Sequence, residues 1–404
     1  MTQNPSESAQ PLDPHHGKRV LVAMSGGVDS AVAAVLLQRQ GYDVTGVTLK
    51  LFDRSTEDDI VARSCCSLES IADARRVCHL LGIEHHVFNM IRTFENNVIM
   101  PFVDAYRHGL TPNPCVECNR TIKFDELLKK ARAYGFDYVA TGHYVRNLYD
   151  PATGLYHLYR GRDDRKDQSY ALYMLTQDQL AHLLFPLGEL EKPEVRQIAS
   201  EAGLRVHNKP DSQEICFVDG RYTEFLRETG GAITQPGPMV DLSGQVVGQH
   251  TGIIDYTIGQ RKGLGAFGQP TFVIDKDAAT NTLVVGPSEA LFCNHLLADH
   301  ANWIIPVTNS TTLSAKIRYS AKPSSCRIGL LPEGDAPGSE PGSAASSKAG
   351  SELGSAASSK AGSQVHVTFE TPQRAITPGQ IIVFYQGDEM IGGATIRTGP
   401  TYGQ

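Results

Sequence analysis

The sequence lacks any long hydrophobic run. No apolar stretch approaches the ~18–20 residues that a membrane-spanning helix needs. The first residues, MTQNPSESAQPLDPHHGK, also lack the apolar core of a secretory signal, so export is not expected. These two absences predict a cytoplasmic protein with no membrane partner.

An excess of positive charge is missing as well. The chain has 37 Lys and Arg against 44 Asp and Glu, a net charge of −7, which excludes a protein that is basic over its whole surface. Nucleic acid is not excluded as a partner, because binding needs only a local basic stripe. Residues 310–331 carry Lys316, Arg318, Lys322 and Arg327 with no acidic residue. Ordinary solvated surface charge is the alternative interpretation of this stretch.

Cysteine is present but shows no disulfide framework. Eight cysteines in 404 residues without a secretory signal indicate reduced thiols. One Cys-x-x-Cys occurs, at Cys115 and Cys118. This motif has three ordinary interpretations: one half of a metal site, a redox-active pair, or a reactive thiol at a helix start. Structural zinc is disfavoured, because no second Cys-x-x-Cys exists and adjacent cysteines are not a usual ligand spacing. The thiols assigned to helix faces or to the core are Cys65, Cys66, Cys78, Cys293 and Cys326.

Apolar strands and amphipathic helices alternate in the first half of the chain. KRVLVAMS (18–25) reads as a strand and VDSAVAAVLLQRQG (28–41) as a helix, and the alternation continues to FDYVATGHY (136–144). This order predicts an α/β fold with a doubly wound parallel sheet. After residue 218, short β-like runs separated by turn residues predict a small mixed domain and then a C-terminal antiparallel β-barrel.

One segment of the C-terminal part differs in composition. Residues 332–363 are rich in Gly, Ser and Ala and contain GSAASSKAGS twice, so they cannot bury a core and are expected to form a flexible insertion between barrel strands. The predicted domains are a disordered tail (1–17), a catalytic domain (18–218), a small central domain (219–289) and the barrel with its insertion (290–404).

The stretch SGGVDS (25–30) lies where a strand gives way to a helix. Gly26 and Gly27 allow the backbone to approach a ligand, and the start of the next helix favours a phosphate. Ser25 and Ser30 offer hydroxyl donors, while Asp29 can hold Mg²⁺ or cap the helix. The loop has no lysine, so it is not a P-loop of the GxxxxGK[ST] type.

A reactive thiol is the interpretation that the Cys-x-x-Cys surroundings favour. Cys118 directly precedes a helix predicted over 119–135, and a helix start with nearby Arg120 and Lys123 promotes the thiolate. Cys216 lies in a second polar loop, KPDSQEICF. An iron–sulfur cluster held by Cys115, Cys118 and Cys216 is the alternative, although it is not expected.

Two resemblances follow from these motifs. SGGVDS resembles the PP-loop of the ATP pyrophosphatase superfamily. The blocks AMSGGVDS, GLTPNPCVECNRTIKFDELL, YVATGHY, RKDQSYALYML, FPLGELEKPEVRQIA, DSQEICFV, YTIGQRKGLG and TPGQIIVFY, in this order, resemble the tRNA-specific 2-thiouridylase family. Only the tail and the 332–363 insertion lie outside this resemblance.

The resemblance implies an enzyme that replaces O2 of the wobble uridine (position 34) of tRNA with sulfur. ATP would adenylate O2, Cys216 would carry a persulfide, and Cys118 would be the nucleophile that forms a transient disulfide with Cys216. The expected ATP-binding residues are Met24, Ser25, Gly26, Gly27, Val28, Asp29, Ser30, Ala31, Leu49 and Gly142. The expected tRNA-binding residues are Asn113, Pro114, Cys115, His143, Lys166, Asp167, Gln168, Arg318, Tyr319 and Gln380. Some members carry Asp where this chain has Cys115. The unperturbed pKa values of a carboxyl and a thiol differ by several units, so the resemblance assigns no general acid or base to this position.

The implied partners are ATP with Mg²⁺, tRNA, and a cysteine desulfurase or sulfur-relay protein that donates sulfur. Two other functions agree less well with the residues. A PP-loop ligase acting on a small molecule would not need Cys118 and Cys216 together or a C-terminal barrel. A non-catalytic tRNA-binding or thiol-relay protein would not need an intact SGGVDS.

Overall fold

A computed structural model gives the fold of the chain. It describes residues 17–52, 68–209, 215–218, 222–230, 235–309, 311–331 and 364–398. These residues form two compact units, the first containing the residues up to Pro101 and Pro114–Phe225, the second containing Phe102–Asn113 and the residues from Leu226 onward. Residues 1–16 of the predicted tail, Cys65, Cys66 and the 332–363 insertion lie outside the described residues. The predicted domain boundaries stay a prediction.

The first unit is built on a parallel sheet. In chain order its strands are β1 (Arg19–Ala23), β2 (Asp43–Lys50), β3 (His85–Asn89), β4 (Tyr138–Ala140), β5 (Val145–Asp150), β6 (Leu155–Arg160) and β7 (Leu183–Leu184). Among the described residues, five strands pair in parallel in the order β3-β2-β1-β4-β7, and β5 and β6 form an antiparallel hairpin. The strand order reverses between β1 and β4, which is where doubly wound sheets bind ligands. The predicted α/β fold is confirmed.

Helices follow the strands. In chain order they are α1 (Val28–Arg39), α2 (Leu68–Leu81), α3 (Ile91–Phe94), α4 (Met100–Arg107), α5 (Pro114–Glu117), α6 (Leu127–Ala133), α7 (Gln177–Leu180), α8 (Lys192–Glu201) and α9 (Tyr222–Gly230). π-Helical turns join α3 to α4 over Glu95–Ile99 and join α5 to α6 over Cys118–Glu126. Single 3₁₀ turns cover Ser169–Leu172, Arg205–Asn208, Ile253–Asp255 and Ser288–Leu291. Within the described part of the chain, no helix has the length and apolar composition needed to cross a bilayer.

Helix α1 is buried around most of its circumference. Its small and β-branched residues Val32, Ala33 and Ala34 are fully inaccessible to solvent, which lets the helix pack closely against its neighbours. The core around α1 also includes Val20 and Val22 of β1. The loop between β1 and α1 is therefore anchored at both ends by buried elements.

The second unit contains most of α4 and the last residues of α9, and the rest of its described regular structure is β-strands and 3₁₀ turns. Its strands are β8 (Gly237–Val240), β9 (Val246–His250), β10 (Phe272–Asp277), β11 (Thr282–Gly286), β12 (Phe292–Trp303), β13 (Thr312–Lys316), β14 (Ser324–Leu331), β15 (Gln364–Arg374), β16 (Ile381–Gln386) and β17 (Glu389–Thr398). The first four form a mixed sheet in the order β10-β11-β8-β9, in which only β11 and β8 run parallel. The mixed domain predicted from the sequence is confirmed.

The six later strands close into an antiparallel barrel within the described residues. They pair in the order β12-β15-β14-β13-β16-β17, and β12 also pairs with β17. Side chains alternate along β15, where Val365, Val367 and Phe369 are buried. Phe384 and Trp303 pack with their ring centroids 5.2 Å apart inside this core. The predicted C-terminal barrel is confirmed.

We expect the connection between β14 and β15 to be replaceable by a short turn. β14 ends at Leu331 and β15 begins at Gln364, and these residues are register partners. The free-energy cost of closing a loop rises by about 0.6 kcal/mol for each doubling of its length. Replacing residues 332–363 by a loop of about eight residues should therefore raise the free energy of unfolding by about 1 kcal/mol. Urea denaturation of both proteins measures this difference. A shortened protein that does not fold would contradict a flexible insertion.

Candidate active site

The loop between β1 and α1 has a backbone that only glycine permits at one position. Gly26 has a φ of +71°, and a Cβ there would collide with the carbonyl oxygen of Ser70 on α2. Gly27 has an extended backbone and is the N-cap residue of α1. No side chain accepts a capping hydrogen bond from the helix start. The amides at the start of α1 are therefore not occupied by a capping side chain, as an anion-binding helix start requires.

Two serines hold the loop closed on itself. The Ser25 amide donates to Ser30 Oγ at 3.1 Å, and Ser30 Oγ donates to the Gly27 carbonyl at 3.2 Å. Ser30 is 3% exposed, so its hydroxyl shapes the loop from within. This differs from the sequence expectation that Ser30 offers its hydroxyl to a ligand.

The other expected nucleotide residues lie at the same edge of the sheet. Gly142 follows β4, and a Cβ there would lie 2.8 Å from the Ser30 amide nitrogen, so β4 can approach the loop only with glycine. Met24 is buried and its amide donates to the Val47 carbonyl of β2. Leu49 lies near the carboxyl end of β2 and is also buried. Val28 and Ala31 are buried in the first turn of α1.

Asp29 is held by two residues that the motif did not identify. Lys192 Nζ lies 2.7 Å and 2.9 Å from the two carboxylate oxygens of Asp29, and the Tyr144 hydroxyl donates to Oδ1 at 2.7 Å. Lys192 is 7% exposed. The helix-capping role considered for Asp29 is not seen, because its carboxylate turns to these side chains instead.

Lys192 occupies a position that is electrostatically unfavourable on its own. It is the first residue of α8, where the positive end of the helix disfavours a cation. Its backbone amide donates to the buried carboxylate of Asp163 at 3.1 Å. The sequence signal was ELEKPEVRQIA, in which a capping box formed by Glu191 and Glu194 encloses a lysine. A lysine in that place points to a function of its ammonium group.

The Cys-x-x-Cys helix begins earlier than predicted. The predicted span was 119–135, but α5 starts at Pro114 and continues through the π-helical turns into α6. Proline is well tolerated at the first helical position, because its missing N–H has no partner to lose there. Cys115 is therefore the exposed thiol of the first turn, and Cys118 is a buried thiol (7% exposed) one turn further on.

This shift changes the electrostatic argument for Cys118. The dipole effect is confined to the first turn, so it acts on Cys115 more than on Cys118. Arg120 makes two hydrogen bonds to Glu117, which offsets the positive charge expected near Cys118. Cys118 is the first residue of the π-helical turns, and such turns occur frequently at functional sites. Its neighbour Asn119 fixes the helix by donating to the Ala171 carbonyl at 3.0 Å.

Cys216 lies in residues 215–218, which are anchored by an aromatic side chain. Phe217 packs against Phe94 of α3 at 5.6 Å and against Phe225 of α9 at 5.3 Å between ring centroids. The same helix α3 contacts the π-helical turns that begin at Cys118. The segments that carry Cys118 and Cys216 thus share α3 as a support. No cluster of three or more His, Cys, Asp or Glu side chains suited to a metal ion occurs in the described ranges.

One expected tRNA-binding residue of the first unit, Gln168, contacts Tyr144, which in turn holds Asp29. The Tyr144 amide donates to Gln168 Oε1 at 3.1 Å. Lys166, two residues before Gln168, is half-buried. Asp167 is buried and accepts hydrogen bonds from the Gly161 and Ser169 amides and from Arg160. Its carboxylate therefore shapes the loop from inside, which differs from the expected contact with RNA.

His143 is a neutral histidine. Its Nδ1 lies 2.7 Å from Thr141 Oγ1, and its ring packs against Phe124 and Phe185. Burial, together with the nearby charge of Lys123, holds the pKa of His143 well below its ordinary value. At neutral pH it can donate or accept a hydrogen bond but adds no positive charge.

In the second unit, the remaining expected residues fall into two places. Gln380 donates to the Thr111 carbonyl at 2.7 Å, so Asn113 and Gln380 lie in segments that are joined there. Arg318 donates to the Ala375 carbonyl at 2.6 Å and to Thr377 Oγ1, which gives it a structural role. Tyr319 is 48% exposed.

The basic stretch over 310–331 is only partly at the surface. Lys316 is buried and lies 5.8 Å from the Tyr319 ring centroid, while Lys322 and Arg327 are exposed. The part of this stretch that offers charge to a partner is therefore smaller than the sequence indicated.

Family models match most of the chain. Residues 18–220 match a family described as tRNA methyl transferase HUP domain, and residues 223–287 match tRNA methyl transferase PRC-barrel domain. Residues 347–396 match aminomethyltransferase beta-barrel domain.

Relatives with curated names match over nearly the full length. The tRNA-specific 2-thiouridylase MnmA of Desulforamulus reducens is 48% identical, covering 94% of this chain and 97% of the relative. The enzyme of the same name from Clostridioides difficile is 47% identical over 94% of this chain and 98% of its own. The enzyme of the same name from Heliobacterium modesticaldum is 49% identical, covering 93% of this chain and 92% of the relative. With this identity along both sequences, the chain belongs to the tRNA-specific 2-thiouridylase family.

Proposed function

We propose that this protein uses ATP to replace O2 of the wobble uridine (position 34) of tRNA with sulfur. The observation that carries the proposal is that one unit contains both the glycine loop with its lysine-held Asp29 and the two cysteine-bearing segments that share α3. Family membership supports the same conclusion, because the relatives are named for tRNA 2-thiolation.

The first step is adenylation of the uridine. O2 attacks the α-phosphorus of ATP, the bond between the α and β phosphates breaks, and pyrophosphate leaves, so that C2 carries AMP as a leaving group. The amides at the start of α1 and the ammonium of Lys192 bind the phosphates. Donors of this kind stabilise developing charge most effectively in a site shielded from water, and Lys192 is buried.

Asp29 fits a role in holding Mg²⁺. Magnesium takes oxygen ligands, commonly one or two carboxylates together with substrate phosphates. Both oxygens of Asp29 are engaged by Lys192. Binding of Mg²⁺ with ATP would require Lys192 to exchange the carboxylate for a phosphate, and its long side chain permits that movement.

The second step transfers sulfur. A cysteine desulfurase or sulfur-relay protein places a sulfur atom on Cys216 as a persulfide. The terminal sulfur attacks C2 and AMP leaves, and the thiolate of Cys118 then attacks Cys216 Sγ. The two cysteines are oxidised to a disulfide while the transferred sulfur is reduced and stays on the base. An external dithiol must reduce the disulfide before the next turnover.

We assign tRNA binding to residues of both units. In the first unit they are the exposed or half-buried Cys115, His143, Lys166 and Gln168 and the buried Pro114, and in the second they are Asn113, Tyr319 and Gln380. Asp167 and Arg318 act indirectly, because their charged groups hold the backbone of the surrounding loops. A wobble base must leave its stack to react, so such contacts are needed to hold the anticodon open.

Replacing Lys192 by methionine should impair the first step. We expect the rate of tRNA-dependent AMP formation to fall by about 100-fold or more, the usual cost of removing one positioned charge-stabilising donor. Chromatography of labelled ATP products measures this rate. Lys18→Met is the matched control, because Lys18 pairs with Asp137 at 3.1 Å at the other end of β1. Equal rates in both variants would contradict a phosphate-binding role.

Replacing the cysteines singly should separate the two steps. We expect Cys118→Ala and Cys216→Ala to abolish 2-thiouridine, because each removes one sulfur of the transfer, while part of the adenylation, seen as tRNA-dependent pyrophosphate release, survives. Cys115→Ala should retain measurable thiolation. Mass spectrometry of tRNA nucleosides measures the product. A fully active Cys118→Ala with an inactive Cys115→Ala would show that the exposed first-turn thiol is the nucleophile.

Removal of iron should leave thiolation intact. The proposed mechanism uses the Cys118 and Cys216 thiols as nucleophile and sulfur carrier, and a cluster ligated by them would occupy both. We expect chelator-treated protein, checked as iron-free by elemental analysis, to thiolate tRNA when given a persulfide donor. Activity that returns only after cluster reconstitution would contradict the mechanism.

A further inference from the structure

The block YTIGQRKGLG forms a braced turn in the second unit, and no step of the proposed reaction uses it. Gln260 Nε2 donates to the Lys262 carbonyl at 2.9 Å, and the Tyr256 hydroxyl donates to the Gly263 carbonyl at 3.2 Å. These bonds fix the turn before any partner binds. Preorganisation of this kind lowers the entropic cost of binding.

The turn carries positive charge at the surface. Arg261 and Lys262 are both exposed, and residues 256–274 contain no acidic residue. Asp255, the acidic residue directly before this segment, is paired with Arg227 at 2.6 Å. In a chain with a net charge of −7, the turn is therefore a local basic feature of the kind that attracts a polyanion.

A second segment without acidic residues, 371–387, packs against this turn. Gly259 has a φ of +87°, and a Cβ there would lie 3.0 Å from the Ala375 Cβ and 3.5 Å from Nη1 of Arg374. Arg374 is exposed, and its guanidinium carbon lies 5.4 Å from the centroid of the Phe272 ring. The close approach places a third exposed cation beside the turn.

The acid-free stretch over 310–331 reaches the same place. Arg318 donates to the Ala375 carbonyl at 2.6 Å, and Ser324 Oγ donates to Gln373 Oε1 at 3.2 Å. Lys322, two residues before Ser324, is exposed. Three segments without acidic residues thus meet around Ala375, and we call their exposed cations the basic strip: Arg261, Lys262, Lys322 and Arg374.

We propose that the basic strip binds phosphates of the RNA backbone. The inference rests on the proposed function, in which tRNA is the polyanion that the protein holds. Guanidinium and ammonium groups neutralise phosphates without reading the bases, so the strip supplies affinity that does not depend on sequence. The strip adjoins Tyr319, which follows Arg318 and is assigned to tRNA on other grounds. It extends the RNA-binding surface of the second unit to a turn that had no role.

Fluorescence anisotropy of labelled, unmodified tRNA at several salt concentrations tests the basic strip in the full-length protein. Replacing Arg261 and Lys262 together by glutamine should make the slope of log affinity against log salt shallower by about 2, because each lost phosphate contact removes about 1. The affinity should fall about tenfold or more at about 0.1 M salt. Arg374→Gln alone should reduce the slope by about 1.

Two further variants separate charge from other effects. Lys18→Gln combined with Arg39→Gln is the matched control, because it removes the same charge from exposed positions before β1 and at the end of α1 in the first unit. We expect its slope to equal that of the unaltered protein. Arg261→Lys combined with Lys262→Arg keeps the charge and should retain the affinity.

Kinetics distinguish binding from chemistry. The strip holds tRNA without touching the reacting atoms, so the variant with glutamine at both positions of the turn should show a raised KM for tRNA and an unchanged kcat for thiolation. Loss of kcat at saturating tRNA would contradict a role in binding alone.

The remaining outcomes have distinct meanings. Equal affinities and slopes in the glutamine variants and the unaltered protein would overturn the proposal. Normal tRNA binding, with thiolation slowed only when a sulfur-relay protein donates the sulfur, would also overturn it, because the strip would then dock that protein. An unaltered protein that binds no tRNA would instead contradict the proposed function itself.

Discussion

The ion pair between Lys192 and Asp29 is the interaction on which the candidate active site depends. Lys192 is buried and Asp29 is partly exposed. Such a pair gains little net stability, because taking the buried charge out of water costs about as much as the attraction returns. The pair is nevertheless placed at the first turn of two helices, with Tyr144 as a third partner. Such a costly arrangement is understandable if the ammonium is kept ready beside the phosphate loop.

Helix α8 is tied to its surroundings at three points. Its first residue meets Asp29 through the Lys192 side chain, its backbone start is held by Asp163, and one turn later Arg196 donates to the carbonyls of His207 and Lys209. The Asp163 contact also joins α8 to the loop that carries Lys166 and Gln168. The ion pair beside the phosphate loop and the loop with two of the proposed tRNA-binding residues are thus fastened to one short helix.

The fold and the phosphate loop were predictable from the sequence for local reasons. Apolar periodicity marks the strands and helices, and the loop needs a residue that accepts positive φ at Gly26. The start of the Cys-x-x-Cys helix was predicted five residues too late, because a proline such as Pro114 restricts the residue before it and yet is itself favourable at the first helical position. Lys192 was missed, because it lies 163 residues from Asp29 in the sequence and no local pattern records such a contact.

The central claim is that ATP cleavage and sulfur transfer occur on one base in one enzyme. Reaction of the purified protein with unmodified tRNA, ATP and a persulfide donor, followed by analysis of nucleotides and tRNA nucleosides from the same sample, tests it most directly. The account predicts 2-thiouridine at position 34 and one AMP for each thiolated base. Formation of ADP and orthophosphate, a methylated uridine, or thiolation without AMP would contradict it.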